Sequence, residues 1–179
     1  MMNNIVTVFG SSRPKQGESE YTFAYGIGCS LASAGFTLCN GGYGGTMEAT
    51  ARGVKDCSGK TIGITCEYFG KEANPYIDET ICVKSHVDRL MKLIELGDAF
   101  VVLKGSTGTL LELATIWEFM NKGVMKEKPI VIAGNFWSPV IHTLKDELLF
   151  EGKEKATKFI AEVKTPEECV RILRQALSI

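Results

Sequence analysis

Short apolar runs alternate along this chain with stretches whose apolar residues recur every three or four positions. Ile5-Val6-Thr7-Val8-Phe9 has almost no polar face, as a strand covered on both sides requires, and Gly10-Ser11-Ser12 ends it. From about Glu18 to Ala34, Phe23, Ile27, Leu31 and Ala34 recur at helical spacing, with Gly35 as the stop. The same reading predicts strands at 36–39, 61–65, 80–83, 99–103, 130–133 and 158–163. It predicts helices at 46–57, 85–97, 109–121 and 138–150, and a last one opening at Thr165-Pro166-Glu167-Glu168. Ser85 and Asp88 have capping-box spacing, Ser138-Pro139 reads as a cap, and Thr165 with Pro166 and Glu168 marks the last helix start. Residues 67–78 show little periodicity and read as loop.

Strands and helices in strict alternation, with near-continuously apolar strands, predict an α/β fold: a doubly wound, Rossmann-like, mostly parallel sheet with helices on both faces. No linker, repeat or low-complexity segment interrupts the 179 residues, so one nucleotide-binding-type domain over 1–179 is expected. A chain of this length buries roughly 70% of its unfolded surface and needs no disulfide or metal to fold. Its 20 Lys+Arg against 21 Asp+Glu lack the basic excess of a nucleic-acid binder. No run approaches a membrane span. Met1-Met2-Asn3-Asn4 leads straight into the first strand with no secretory signal, so a cytoplasmic location is expected. The cysteines at 29, 39, 57, 66, 82 and 169 are scattered, several within apolar runs. They read as buried free thiols in a reducing compartment, although their even number is compatible with disulfides. Neither they nor His86 and His142 have zinc-ligand spacing, so no metal is expected.

Glycine changes the picture most. In a parallel sheet, ligands bind at the carboxyl ends of the strands, where strand order reverses. Gly10-Ser11-Ser12, the run Asn40 to Gly45, and Lys104-Gly105-Ser106-Thr107-Gly108-Thr109 all fall at such ends. Backbone amides at the helix starts that follow would face one crevice and seat an anion. Tight-turn chemistry explains any one such loop equally well; three on one rim favour an anion site. Neither G-x-x-x-x-G-K-[ST] nor G-x-G-x-x-G after the first strand is present, which argues against a P-loop NTPase and a dinucleotide-dependent dehydrogenase. Glu112 stands in the first turn of a helix otherwise apolar nearly all round, from Leu110 to Met120. A carboxylate there needs a partner or a function, and Thr109-x-x-Glu112 also fits a capping box; spacing leaves cap and site both open.

These residues also carry a resemblance. Asp98-Ala99-Phe100 followed by Gly105-x-x-Gly108-Thr109-x-x-Glu112 resembles the P-G-G-x-G-T-x-x-E signature of the Lonely Guy (LOG) family, the cytokinin riboside 5′-monophosphate phosphoribohydrolases formerly called lysine decarboxylase-like. Val8-Phe9-Gly10-Ser11-Ser12 and Gly41-Gly42-x-Gly44-Gly45-Thr46-Met47-Glu48-Ala49 are similar to further parts of that family, and the likeness spans roughly residues 5–140. Arg89 stands where the family has the arginine of an Arg-Lys pair, with Leu90 in place of the lysine. Lys104 replaces a proline, Ser106 a glycine, and Leu111 a frequent glutamate.

The resemblance implies hydrolysis of the N-glycosidic bond of a nucleoside 5′-monophosphate, AMP or a cytokinin monophosphate, to free base and ribose 5-phosphate. It implies Glu112 and Arg89 as catalytic residues. Gly105, Ser106, Gly108 and Thr109 would bind the phosphate, Ser11 and Ser12 would line the facing side, and Gly44 and Thr46 would lie near sugar or base. Lys104 and Ser106 could assist by charge and hydroxyl. A homodimer and a small phosphorylated ligand are implied, with no cofactor, nucleic acid or membrane. The alternative is a non-catalytic nucleotide- or molybdenum-cofactor-binding carrier or sensor of the same fold. A lysine decarboxylase would require pyridoxal phosphate on a Schiff-base lysine, for which the chain shows no context.

Overall fold

The computed structural model describes residues 4–179, so the leaderless reading of Met1, Met2 and Asn3 lies outside the described residues. Seven strands form one sheet in the order β4-β3-β2-β1-β5-β6-β7, every neighbouring pair parallel. They are β1 Ile5–Phe9, β2 Thr37–Asn40, β3 Lys60–Cys66, β4 Glu79–Val83, β5 Ala99–Val102, β6 Ile130–Ala133 and β7 Ile160–Val163. The helices are α1 Ser19–Ser33, α2 Thr46–Asp56, α3 His86–Leu96, α4 Thr107–Asn121, α5 Ser138–Phe150, α6 Glu154–Thr157 and α7 Pro166–Leu177. The short α6 has no counterpart in the sequence reading.

The continuous apolar strands are explained by two cores. Val6, Val8, Leu38 and Val101 point to one face under α1, α2 and α7. Phe9, Phe100, Val102 and Ile132 point to the other under α3, α4 and α5. Strand order reverses between β1 and β5, which pair through Val6–Ala99 to Phe9–Val102. The loops after these two strands therefore lie side by side, and Ser11 N–H donates to the Lys104 carbonyl across them at 3.2 Å. Trp137 Nε1 donates to the Leu103 carbonyl at 2.9 Å and fixes the second loop from below.

Helix ends follow local chemistry with two exceptions. Ser85 and Asp88 form the reciprocal capping box, and Thr165 accepts from Glu168 N–H. Ser138 does not cap α5: the N-cap is Trp137, and the Ser138 hydroxyl donates to Glu162 at 2.6 Å. Helix α4 begins two residues before the expected start, at Thr107. That shift removes the Thr109–Glu112 capping box, because Thr109 is the third helical residue and Glu112 lies in the second turn, beyond reach of the N-cap.

The cysteine expectation needs correction. Cys29 of α1 and Cys57, just after α2, form a disulfide with Cα atoms 5.3 Å apart. The two helices touch backbone to backbone because a Cβ at Gly28 would overlap Thr50 and one at Gly53 would overlap Tyr25. That close approach brings the sulfurs together across 28 residues of sequence, where no motif announces the pair. Cys39, Cys66 and Cys169 are buried free thiols, whereas Cys82 is exposed.

Candidate functional site

A crevice of about 430 Å³ opens at the carboxyl ends of β1, β2 and β5, walled by the β1–α1 loop, the β2–α2 loop, the start of α3 and the start of α4. At its β5 side Gly105 leaves room for the Thr109 side chain: any Cβ at 105 would land on the Thr109 hydroxyl. Thr109 is thus folded back and 97% buried, at 3% exposure. Ser106 is the N-cap, and its side chain makes no cap bond. The first-turn amides of α4 are therefore left for solvent or a ligand, at the positive end of a 15-residue helix. Gly108 has nothing within 4 Å of where a Cβ would sit, so the floor is open at that point.

Glu112 rises from the second turn of α4 into this crevice and is half-buried. Desolvation pushes its carboxyl up to about 7, and the nearby Arg89 charge offsets part of that rise. Arg89, the one charged residue buried in α3, is 7% exposed and firmly held. Its Nε donates to the Ile64 carbonyl at 2.8 Å, and Nη2 donates to the Gly41 carbonyl at 3.0 Å with Met47 Sδ beside it. The guanidinium lies 5.2 Å from the centre of the Tyr43 ring. A Cβ on Gly41 would occupy the guanidinium's place, so this glycine admits the arginine. Leu90, where the resemblance expects lysine, packs against the α3–α4 core.

Ser11, Ser12, Ser106, Gly108, Thr109, Arg89 and Glu112 share the crevice wall. Gly105, Gly44 and Thr46 lie outside it. Thr46 is a buried strut: its N–H and hydroxyl both donate to the Ser11 carbonyl, at 2.8 and 3.0 Å. Lys104 turns away to pair with Glu20 at 2.6 Å, holding that carboxyl down at about 2, and lies over the Phe136 ring. It does not charge the crevice. Arg13, Tyr43, Met47, Phe69 and His86 also line the wall and escaped the sequence reading. Arg13 directly follows the two serines and Tyr43 interrupts a glycine run, signals that were available. Phe69 lies in an aperiodic loop and carries none.

Among the described residues, no helix is long and apolar enough to cross a membrane. The chain is 32% identical over 130 residues to a cytokinin riboside 5′-monophosphate phosphoribohydrolase of Mycobacterium tuberculosis, covering 71% of this chain and 68% of that one. It is 28% identical over 141 residues to the protein of the same name from Rhodococcoides fascians, covering 76% and 71%. Its fold is similar to that of the molybdenum cofactor carrier protein of Chlamydomonas reinhardtii, with a TM-score of 0.80 at 20% identity over 99% and 100% of the two chains. The SLOG cluster4 family model matches residues 3–170. With a seven-stranded parallel sheet, glycine loops at its reversal point and these relatives, the chain belongs to the SLOG cluster4 family, a LOG-like family.

Proposed function

We propose that the chain is a nucleoside 5′-monophosphate phosphoribohydrolase, acting on AMP or a cytokinin riboside monophosphate. The observation that carries this reading is Glu112, a carboxylate lifted to about 7 by burial, in the same crevice as an open helix N-terminus and a fixed guanidinium. A group poised near neutral pH suits proton transfer, whereas a structural carboxylate would be paired or capped.

The 5′-phosphate sits against the first-turn amides of α4 and the hydroxyls of Ser106, Ser11 and Ser12, with Arg13 at the rim. This places C1′ of the ribose near Glu112. As the C1′–N bond breaks, its electron pair leaves with the base and positive charge develops on the sugar. Ionised Glu112 stabilises that charge and takes a proton from the water that adds to C1′; the departing base takes a proton from solvent. Arg89, held by two backbone carbonyls, orients the nucleotide and supports the ionised form of Glu112.

Incubation with AMP and with isopentenyl-AMP is expected to release free base. Glu112→Gln is expected to lower kcat by about 10²–10⁴-fold, with kcat/KM of the parent rising along an acid limb near pH 7. Absence of base release from both substrates, or equal release by the variant, would leave the carrier alternative, which the fold likeness to molybdenum cofactor carriers supports. The same reading includes a homodimer. Leu110, Leu111 and Leu144 are exposed on α4 and α5 beside a shallow apolar groove containing Trp117 and Leu148. Light scattering is expected to give a dimer mass, and Leu111→Lys with Leu144→Asp a monomer.

A further inference from the structure

The crevice has a second end that the hydrolytic reading does not use. Beyond Arg89, on the side away from α4, its wall is aromatic: Tyr43, Phe69 and His86. The Phe69 ring meets Tyr43 edge-on with centroids 6.4 Å apart and His86 edge-on at 5.2 Å. Phe69 is nevertheless 52% exposed. A large apolar ring left half in water at the mouth of a crevice costs free energy that a flat ligand would recover.

This placement is built. Residues 66–70 form a tight turn in which the N–H groups of Phe69 and Gly70 both donate to the Cys66 carbonyl at 3.0 Å. Tyr43 staples the turn from the neighbouring loop: its hydroxyl accepts from Cys66 N–H at 2.9 Å and donates to the Gly70 carbonyl at 2.7 Å. Asn74 closes the other side through its side-chain amide, which donates to the Gly42 and Tyr43 carbonyls. His86 is fixed as the first residue of α3 behind the Ser85–Asp88 capping box. The loops after β2 and β3 and the start of α3 thus bring three rings together at one end of the crevice.

The spacing of the sheet decides what fits. Phe69 follows β3, and the phosphate seat follows β5. In the order β3-β2-β1-β5 these are three strand spacings apart, roughly 14 Å. Glu112 lines the same crevice, and Arg89 donates hydrogen bonds to the Ile64 and Gly41 carbonyls at the ends of β3 and β2. An extended nucleoside monophosphate spans such a crevice with phosphate at α4 and base at the far end.

We propose that Phe69 and His86, held by Tyr43, form the seat of the aromatic base, making this end of the crevice specific for a flat purine-sized heterocycle. The proposal rests on the nucleotide reading of the same crevice and adds the group that selects the base. Phe69 presents a ring to the base, His86 closes the edge, and Tyr43 acts as a positioning residue. Rings recognise a base by its π face, so the seat discriminates heterocycle from no heterocycle far more than one purine from another.

The test is calorimetric titration in the Glu112→Gln background, which keeps substrate intact, with AMP and with ribose 5-phosphate as the two probes. AMP is expected to bind at least tenfold more tightly than ribose 5-phosphate. Adding Phe69→Ala is expected to weaken AMP about tenfold while changing ribose 5-phosphate by less than twofold, and Phe69→Tyr is expected to restore AMP binding. A merely structural role for Phe69 would weaken both probes together. Equal affinity for the two probes in the parent, including no binding of either, overturns the proposal; so does a Phe69→Ala loss shared by both. The hydrolytic reading is judged separately by base release from the Glu112-containing protein. Failure there with a surviving AMP preference leaves the base seat standing. Base release with an unchanged KM for AMP in Phe69→Ala removes the seat and keeps the hydrolase.

Discussion

The loop after β2 and the loop after β5 are both glycine-containing turns into a helix, but their helix-proximal glycines, Gly45 and Gly108, do opposite things. Between Asn40 and Thr46 the chain is closed on itself. Asn40 Nδ2 donates to the Met47 carbonyl and the Thr50 hydroxyl, and Asn40 Oδ1 accepts from Gly42 N–H. Gly41 makes room for Arg89, and Gly45 presses on the backbone of Ser11 and Ser12. Between Lys104 and Thr109 one glycine, Gly105, serves packing. The other, Gly108, faces open space at a helix N-terminus whose cap side chain makes no bond. Gly41, Gly45 and Gly105 thus mark close approach of protein to protein, whereas Gly108 marks an opening for a ligand. The presence of glycine does not separate the two uses; the neighbours a Cβ would meet do.

Substitutions should divide along this line. The largest effect is expected for Gly45→Ala. Gly45 has φ 70° and ψ −135°, a conformation essentially restricted to glycine, and its Cβ would overlap the Ser12 backbone. A loss of about 3 kcal/mol or more in urea unfolding is expected; a loss below about 1 kcal/mol would mean that the first loop is not closed as described.

Glu112→Gln comes next, through pH. The folded carboxyl is raised from 4.5 to about 7, so the folded state binds the extra proton and stability falls as pH rises through that window. The shift corresponds to about 3 kcal/mol at most, and water in the half-open crevice reduces it to about 1–2 kcal/mol. The variant, with no proton to lose, is expected to melt higher than the parent at pH 8 and alike at pH 4. Equal melting at both pH values would remove the desolvated carboxylate from the picture.

Gly108→Ala is the counterpart of Gly45→Ala. It is expected to leave stability unchanged or raise it by under about 1 kcal/mol, because alanine is the better helix residue and nothing is displaced. Its methyl enters the phosphate seat, so ribose 5-phosphate affinity should fall about tenfold. The smallest effect is expected for Lys104→Met. Its ammonium belongs to Glu20 on the rim, so phosphate affinity should be unchanged in the same titration.

The fold was readable to a large extent because its strands are buried on both faces and its helices on one. Val8, Val101 and Ile132 sit in near-continuous apolar runs, whereas Leu31 and Leu93 recur with helical period. Each pattern has one physical solution. Short α6 was missed, since four residues have no periodicity to show. At the site, the residues in glycine loops and near Glu112 were nameable from their types. Phe69 was not, because an aromatic in an aperiodic loop has no spacing to mark it.

The sequence alone determined the parallel sheet, the rim on which its glycine loops gather, and Glu112 as a candidate, because burial pattern and turn chemistry are local properties; Arg89 became a candidate only through the family resemblance. Tertiary structure decided the rest. It started α4 at Thr107 and so freed Glu112 from capping, joined Cys29 to Cys57, buried Arg89 behind Gly41, and turned Lys104 away to Glu20. Each of those outcomes depends on which distant atoms arrive beside a residue, and on the water they exclude.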